Sequence, residues 1–248
     1  MINMQTVVAE VLEAYLPEPR QDAVLEKLSA FLDMVRGRQR EVNITGIRDP
    51  NDLAVQVVGD ALAPLAVAPE DFPLDGPTRL LDVGTGAGLP GLVYAIYWPA
   101  TQVVLLDSQK KRIDFVREVV EELGLPNVEV LEGRAESHAH ALQWREQFDV
   151  VTSRALAPLP ISLELCLPFL ELEGYFLTYK SLNPNDEIKE AEFALGKLGG
   201  GPIVSRTYTP GAGAQKRSAL FIPKVGLTPD KYPRREGIPA KRPLRASR

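Results

Sequence analysis

The sequence predicts an α/β fold: a doubly wound, mostly parallel seven-stranded sheet with an antiparallel last strand, plus an N-terminal helical appendage. Three observations carry that expectation. Residues 80–91, Leu-Leu-Asp-Val-Gly-Thr-Gly-Ala-Gly-Leu-Pro-Gly, join a short apolar run to a glycine-rich turn and then to a helix-like stretch with Leu92, Val93, Ala95 and Ile96. Strand, glycine turn and helix open a nucleotide-binding β-α-β unit, where a side chain in the turn would hold the backbone off its ligand. From Thr78 onward, strand-length apolar runs alternate with helical periodicities. The last two runs flank Pro210–Gly213, a Gly-rich turn of hairpin length.

The elements follow in order. Residues 4–16 place Val7, Val8, Val11, Leu12 and Tyr15 on one helical face, and residues 21–36 do the same with Val24, Leu25, Leu28, Phe31, Leu32 and Val35. Pro17 and Pro19 separate the two. A third helix runs from Asp52 to about Leu65, and the four prolines of residues 64–77 mark a boundary. The division is then a helical appendage over 1–75, an α/β body over 76–224 and a basic tail over 225–248. In the body, Leu80, Leu81 and Val83 form the first strand and Gln102–Leu106 the second. A helix through Ile113, Phe115, Val116 and Val119 closes at Gly124. Val128–Leu131 and Phe148–Thr152 are the third and fourth strands, with a helix from Leu159 to about Leu170. Tyr175–Tyr179, Ile203–Tyr208 and Ser218–Ile222 complete the sheet.

Composition narrows the class. The 248 residues are 45% hydrophobic and 25% charged, an ordinary globular mixture. No apolar run approaches the roughly 18 residues a membrane span needs, and no signal peptide opens the chain. One cysteine, Cys166, lies among leucines and reads as core. With only His138 and His140 beside it, a His/Cys metal site is not expected. These features point to a cytoplasmic protein, expected to be a monomer. The net charge of −5 hides an asymmetry: from Lys216 onward ten basic residues face two acids, against 18 and 31 in the remainder. A basic end on an acidic body suits docking on a polyanion; a solvated, disordered tail is the other reading.

Ligands of doubly wound sheets sit outside the carboxyl ends of the strands. Asp82 stands in the last turn of the first strand. Asp107 ends the second, 23 residues after Gly84, where an acid can accept both hydroxyls of a ribose or cap the next helix. Ala135-Glu136 follows the third strand, where it can frame an adenine edge. Arg154 and Lys180 end the fourth and fifth and suit an anionic substrate, unless Arg154 is salt-bridged to Glu136. Two ligand classes use such a glycine turn. A dinucleotide wants G-x-G-x-x-G, which Gly86–Gly91 matches two residues late. S-adenosylmethionine brings an ammonium, a sulfonium and a ribose diol, which suit an acid at Asp82 that would repel a pyrophosphate. The methyl donor is the better fit.

At Asp82–Gly91 the sequence resembles the RsmG family, also called glucose-inhibited division protein B, bacterial enzymes that methylate N7 of a guanine in 16S rRNA. The resemblance continues through Leu105–Arg112, Gly133–Glu136, Phe148–Ala155, Tyr179-Lys180 and Tyr232–Leu244, and upstream at Val42-Asn-Ile-Thr45. It implies the class I S-adenosylmethionine-dependent methyltransferase (Rossmann-like) fold, with 76–224 as the methyltransferase domain and 16S rRNA or the small ribosomal subunit as partner. It also implies a donor site with Gly84, Gly86 and Leu89 in the first loop, and Asp107, Ser108 and Gln109 on the ribose and adenosine side. Ala135 and Glu136 would contact the adenine, Arg154 would close the pocket, and Lys180 would face the RNA. One departure stands out: where members read Lys-His-x-x-Asp-Ser-Leu, this chain has Gln56-Val-Val-Gly-Asp60-Ala-Leu62.

Methylation of guanine N7 needs no general base, because its lone pair carries no proton. The chain accordingly offers no expected catalytic His or Cys, and positioning is the work to be done. Three other functions fit the same fold: a methyltransferase acting on a protein or small molecule, against which the basic tail and the family resemblance argue, an NAD-dependent oxidoreductase, and a non-catalytic ribosome-binding protein.

Overall fold

The computed structural model describes residues 3–15, 22–42, 47, 49–73 and 79–246. Its centre is a seven-stranded sheet in the order β3-β2-β1-β4-β5-β7-β6. The strands are β1 (Arg79–Val83), β2 (Gln102–Asp107), β3 (Val128–Glu132), β4 (Phe148–Arg154), β5 (Leu170–Lys180), β6 (Val204–Tyr208) and β7 (Arg217–Pro223). Strands β1 to β5 are parallel, and β7 runs antiparallel to both β5 and β6. The strand order reverses between β1 and β4, so the loops that follow these two strands diverge and open a crevice.

Strand alternation divides the apolar residues between two cores. Leu80, Val103, Leu105, Val150, Leu177 and Phe221 face one side, where they join residues of α1 (Met4–Tyr15), α2 (Asp22–Val42) and the helical run 50–67. Leu81, Val83, Val104, Leu106, Phe176 and Ile222 face the other side. There α8 (Leu159–Cys166) and α9 (Asn185–Leu198) cover them, and Cys166 is buried among them. Helices on both faces explain why these strands read as continuous apolar runs.

The helical run 50–67 is less regular than its periodicity implies. Asp49 caps it by accepting the N–H groups of Asn51 and Asp52, so it starts at Pro50 rather than Asp52. After α3 (Pro50–Ala54) comes a π turn, Val55–Gly59, then α4 (Asp60–Leu62) and a 3-10 turn, Ala63–Val67. Gly59 lies under the loop after β6. A Cβ there would sit 2.0 Å from the Pro210 carbonyl oxygen, so only glycine allows that approach. The helix expected up to about Leu170 stops at Cys166 and tightens into a 3-10 turn around Pro168, which lacks the N–H a longer helix needs. Strand β5 therefore starts at Leu170, well before Tyr175.

Between β3 and β4 lies α7 (Ala135–His138), and α6 (Lys110–Glu122) joins β2 to β3. The C-terminal residues 225–246 are folded against this side of the sheet, and Tyr232 and Leu244 belong to the second core. Arg145 donates to the carbonyls of Thr228 and Tyr232. Arg234 donates from its backbone N–H, Nε and Nη2 to the fully buried carboxylate of Glu164 on α8. A solvated, disordered extension does not describe these residues. Nor is all of the basic charge available to a partner. Lys224 is buried, and Arg217, Arg234 and Arg245 are ion-paired to Asp60, Glu164 and Glu190. Lys216, Arg235, Lys241 and Arg242 are exposed and make no ion pair among the described residues.

Arg234→Ala would leave Glu164 charged and buried without its countercharge, a loss on the order of 3 kcal/mol. Urea unfolding should show it as a lower midpoint; a change below about 0.5 kcal/mol would mean the tail is not held by this pair.

Candidate functional site

The loop after β1 folds back over the end of β2. Gly84 and Thr85 donate N–H bonds to the Leu106 carbonyl at 2.8 and 3.0 Å. Gly84 has φ +72°, and a Cβ there would lie 2.5 Å from Leu156 Cδ1. The Gly86 N–H reaches Asp107 Oδ2 at 2.9 Å, and Asp107 Oδ1 accepts the Gln109 N–H at 2.8 Å. Arg112 adds a longer contact at 3.4 Å. Asp107 thus both shapes the glycine loop and starts α6.

Glu136 on α7 is equally constrained. Its Oε1 accepts from Arg134 Nη2 at 2.9 Å and from the Gly237 N–H of the C-terminal segment at 3.0 Å. Burial pushes its carboxyl up, but these bonds outweigh burial and hold it below the usual carboxylate range.

These residues frame a cleft of about 220 Å³. Gly84, Asp107, Ser108, Gln109, Ala135 and Glu136 line it, as the sequence implies. So do Arg112, Gly133, Arg134, Ala155 and Leu156, which sequence reasoning did not single out. Four of these, Arg112, Gly133, Arg134 and Ala155, lie inside motifs that drew attention to their neighbours.

Three expected contacts lie elsewhere. Leu89 is buried in the first core. Gly86 acts through its backbone N–H on Asp107. Arg154 lines a second, larger cleft of about 760 Å³, together with Tyr179, Lys180, Ser181 and Lys216. It is bonded to Asp60 and the Gln56 carbonyl, while Glu136 takes Arg134 instead. The Lys180 ammonium is bonded to Glu187 at 2.8 Å and to the Ala157 carbonyl at 3.3 Å. Ala155 lines both clefts, and its φ of +54° is rare for a residue with a side chain. Asp60, Tyr208 and Arg217 complete the polar wall around Arg154, and no local sequence signal joins them.

Asp82 corrects an expectation. It does not face either cleft, because strand alternation turns it toward the first core with Leu80. Its Oδ2 accepts from the Thr85 hydroxyl at 2.6 Å and the Gly91 N–H at 3.0 Å, clamping the loop at both ends. Its Oδ1 and the hydroxyl of Thr152, its neighbour in register on β4, are buried without hydrogen-bond partners among the described residues. Burial pushes the Asp82 carboxyl up to about 6 against the pull of Thr85, Gly91 and Arg154.

The family model for GidB, rRNA small subunit methyltransferase G, matches residues 24–206. The chain belongs to this family. It is 38% identical over 220 residues to the ribosomal RNA small subunit methyltransferase G of Desulfitobacterium hafniense (strain Y51), covering 89% of each chain. Over 214 residues it is 38% identical to that of Lactobacillus delbrueckii subsp. bulgaricus, covering 86% of this chain and 88% of the relative. The fold is shared with the fibrillarin pre-rRNA processing protein of Methanococcus jannaschii, at TM-score 0.51 and 17% identity over 66% of this chain and 74% of that one. The departure from the methyltransferase G pattern at Gln56 and Val57 splits between core and surface, with Gln56 exposed and lining a third cleft beside Arg217. Val57 is buried in the first core, and Gln56 meets Arg154 through its backbone carbonyl, which any residue supplies. Among the described residues no helix is long and apolar enough to cross a membrane.

The raised pKa of Asp82 sets a sign. The folded state binds its proton more tightly than the unfolded chain, so the cost of the buried charge appears as pH rises from about 4 to about 6. Relative to Asp82→Asn, the wild type should lose on the order of 3 kcal/mol of stability between pH 4 and pH 7. A difference that does not change with pH would contradict the buried charge.

Proposed function

We propose that the protein is an S-adenosylmethionine-dependent methyltransferase that acts on N7 of a guanine in 16S rRNA. It would work in the cytoplasm, on the free RNA or the small ribosomal subunit. The observation that carries this reading is the pair of clefts meeting at Ala155, one lined by two buried carboxylates and the other by cations. Membership of the rRNA small subunit methyltransferase G family supports the substrate class. No observation favours the oxidoreductase or the non-catalytic alternative.

The smaller cleft fits the donor. Gly84 lets Leu156 pack against the loop, since a Cβ there would lie 2.5 Å from Leu156 Cδ1. Val83, Leu106 and Leu156 give apolar walls for an adenine, and Asp107 gives a carboxylate for ribose hydroxyls. In this assignment Ser108 and Gln109 flank the adenosine, and Ala135 and Glu136 meet the base edge. Gly86 and Leu89 support the loop, Gly86 through Asp107 and Leu89 from the core beneath it. Bound S-adenosylmethionine supplies an electrophilic methyl group on a sulfonium.

The remaining work belongs to the chain's own groups. Ala155 stands where both ligands must approach each other, so the β4 end sets their alignment. Arg154 and Lys180 hold the anionic substrate from the acceptor side. The target nitrogen carries no proton, so no residue has to remove one. The carboxylates of Asp107 and Glu136 favour positive charge on the ligands. Residues 76–224 then carry both clefts, 1–75 back the acceptor side, and 225–248 brace the donor side through Gly237.

Equilibrium titration tests the donor assignment. The wild type should bind S-adenosylmethionine and not NAD. Asp107→Ala should weaken donor binding about 100-fold, because it removes the ribose acceptor and frees the Gly86 and Gln109 N–H groups. NAD binding, or an unaltered donor titration in the variant, would refute the assignment.

A further inference from the structure

The larger cleft contains two arginines fixed by a single carboxylate. Arg154 ends β4 and Arg217 begins β7. Asp60 Oδ2 accepts Arg217 Nη1 at 2.8 Å and Arg154 Nη1 at 3.2 Å, while Asp60 Oδ1 accepts the Tyr208 hydroxyl at 2.7 Å. The Gln56 carbonyl takes a further bond from Arg154 Nη1 at 3.0 Å. Both guanidinium groups are therefore tethered through Nη1. Their Nε and Nη2 atoms make no hydrogen bond among the described residues.

Burial gives the arrangement a direction. Asp60 is fully buried, whereas the Arg154 and Arg217 side chains keep 21% and 37% exposure and line the cleft. Charge gives it a ligand class. Two guanidinium groups against one carboxylate leave one positive charge unbalanced. Lys180 does not change that count, because Glu187 meets its charge, and Lys216 lines the same cleft outside this Asp60-bridged pair. One unbalanced positive charge, presented by two planar forks with free donors, matches the single negative charge and paired oxygens of a phosphodiester.

We propose that Arg154 and Arg217, bridged by Asp60, form a site for one phosphate of the RNA backbone next to the target guanine. This rests on the methyltransferase reading above and adds Arg217, which lies outside the β1 loop and outside the motifs that carry the family resemblance. The pair grips the backbone rather than the base, so it sets where the strand lies and leaves choice of the guanine to other contacts. Asp60 is the positioning residue: it brings together two cations that would otherwise repel each other.

The test is methyl transfer to small-subunit particles from cells lacking the protein, with KM measured across a salt series. Arg217→Gln should raise KM about tenfold and make the dependence of log KM on log salt shallower by about 0.7 to 0.9, the value of one lost phosphate contact. Its kcat and its titration with S-adenosylmethionine should stay within twofold. Arg217→Lys keeps the charge but loses the fork, so it should keep the wild-type salt slope with a raised KM. Arg79→Gln removes a cation at the amino end of β1, opposite the clefts, and serves as the control. Wild-type transfer with an unchanged KM and slope in Arg217→Gln would overturn the phosphate site alone. A wild type that binds the donor but labels no RNA would overturn the underlying reading, and the site with it.

Discussion

The glycine loop depends on a carboxylate that has no countercharge in contact with it among the described residues. Asp82 sits under the loop with one oxygen bonded to Thr85 and Gly91 and the other without a partner among the described residues. An isolated buried charge is costly, and here the cost appears as a carboxyl raised to about 6. In return the chain between the end of β1 and the start of α5 (Gly91–Tyr97) is clamped at both ends. That clamp holds Gly84 at its left-handed φ and aims the Gly86 N–H at Asp107. The smaller cleft takes its shape from these positions.

The same device recurs around the carboxyl edge. Asp60, Asp107, Glu136 and Glu164 are each nearly or fully buried, and each accepts bonds from segments distant in sequence. Asp107 ties the first loop to β2. Glu136 ties α7 to the C-terminal segment, and Glu164 ties α8 to it. Asp60 ties the N-terminal helices to β4 and β7. An acidic body with a basic end is, in large part, a set of buried acids bonded to the loops and arginines they position. The charge asymmetry first serves folding, and only the exposed cations remain for a partner.

Much of the fold was legible because its signals are local. The apolar runs of β1, β2 and β4 are buried on both faces, and the Pro210–Gly213 turn marks the reversal that puts β7 antiparallel between β5 and β6. The lining of the smaller cleft was legible for the same reason: Asp107, Ala135 and Glu136 follow strand ends. What escaped was long-range or depended on side-chain direction. Asp82 reads as a cleft acid until alternation turns it inward. Arg234 reads as a free cation until Glu164, 70 residues away, takes three of its bonds. The pairing of Arg154 with Arg217 through Asp60 joins three elements that no spacing relates. The π turn at Val55–Gly59 also breaks a pattern that reads as one plain helix.

The central claim is that the two clefts meeting at Ala155 align a methyl donor with a guanine of 16S rRNA. Its most direct test is transfer of a labelled methyl group from S-adenosylmethionine to small-subunit particles isolated from cells without this protein. Cleavage chemistry selective for N7-methylguanine then locates the label. The account predicts a single labelled guanine in 16S rRNA, modified at N7. Label on another atom, on ribosomal protein, or on no component of the particle would contradict it.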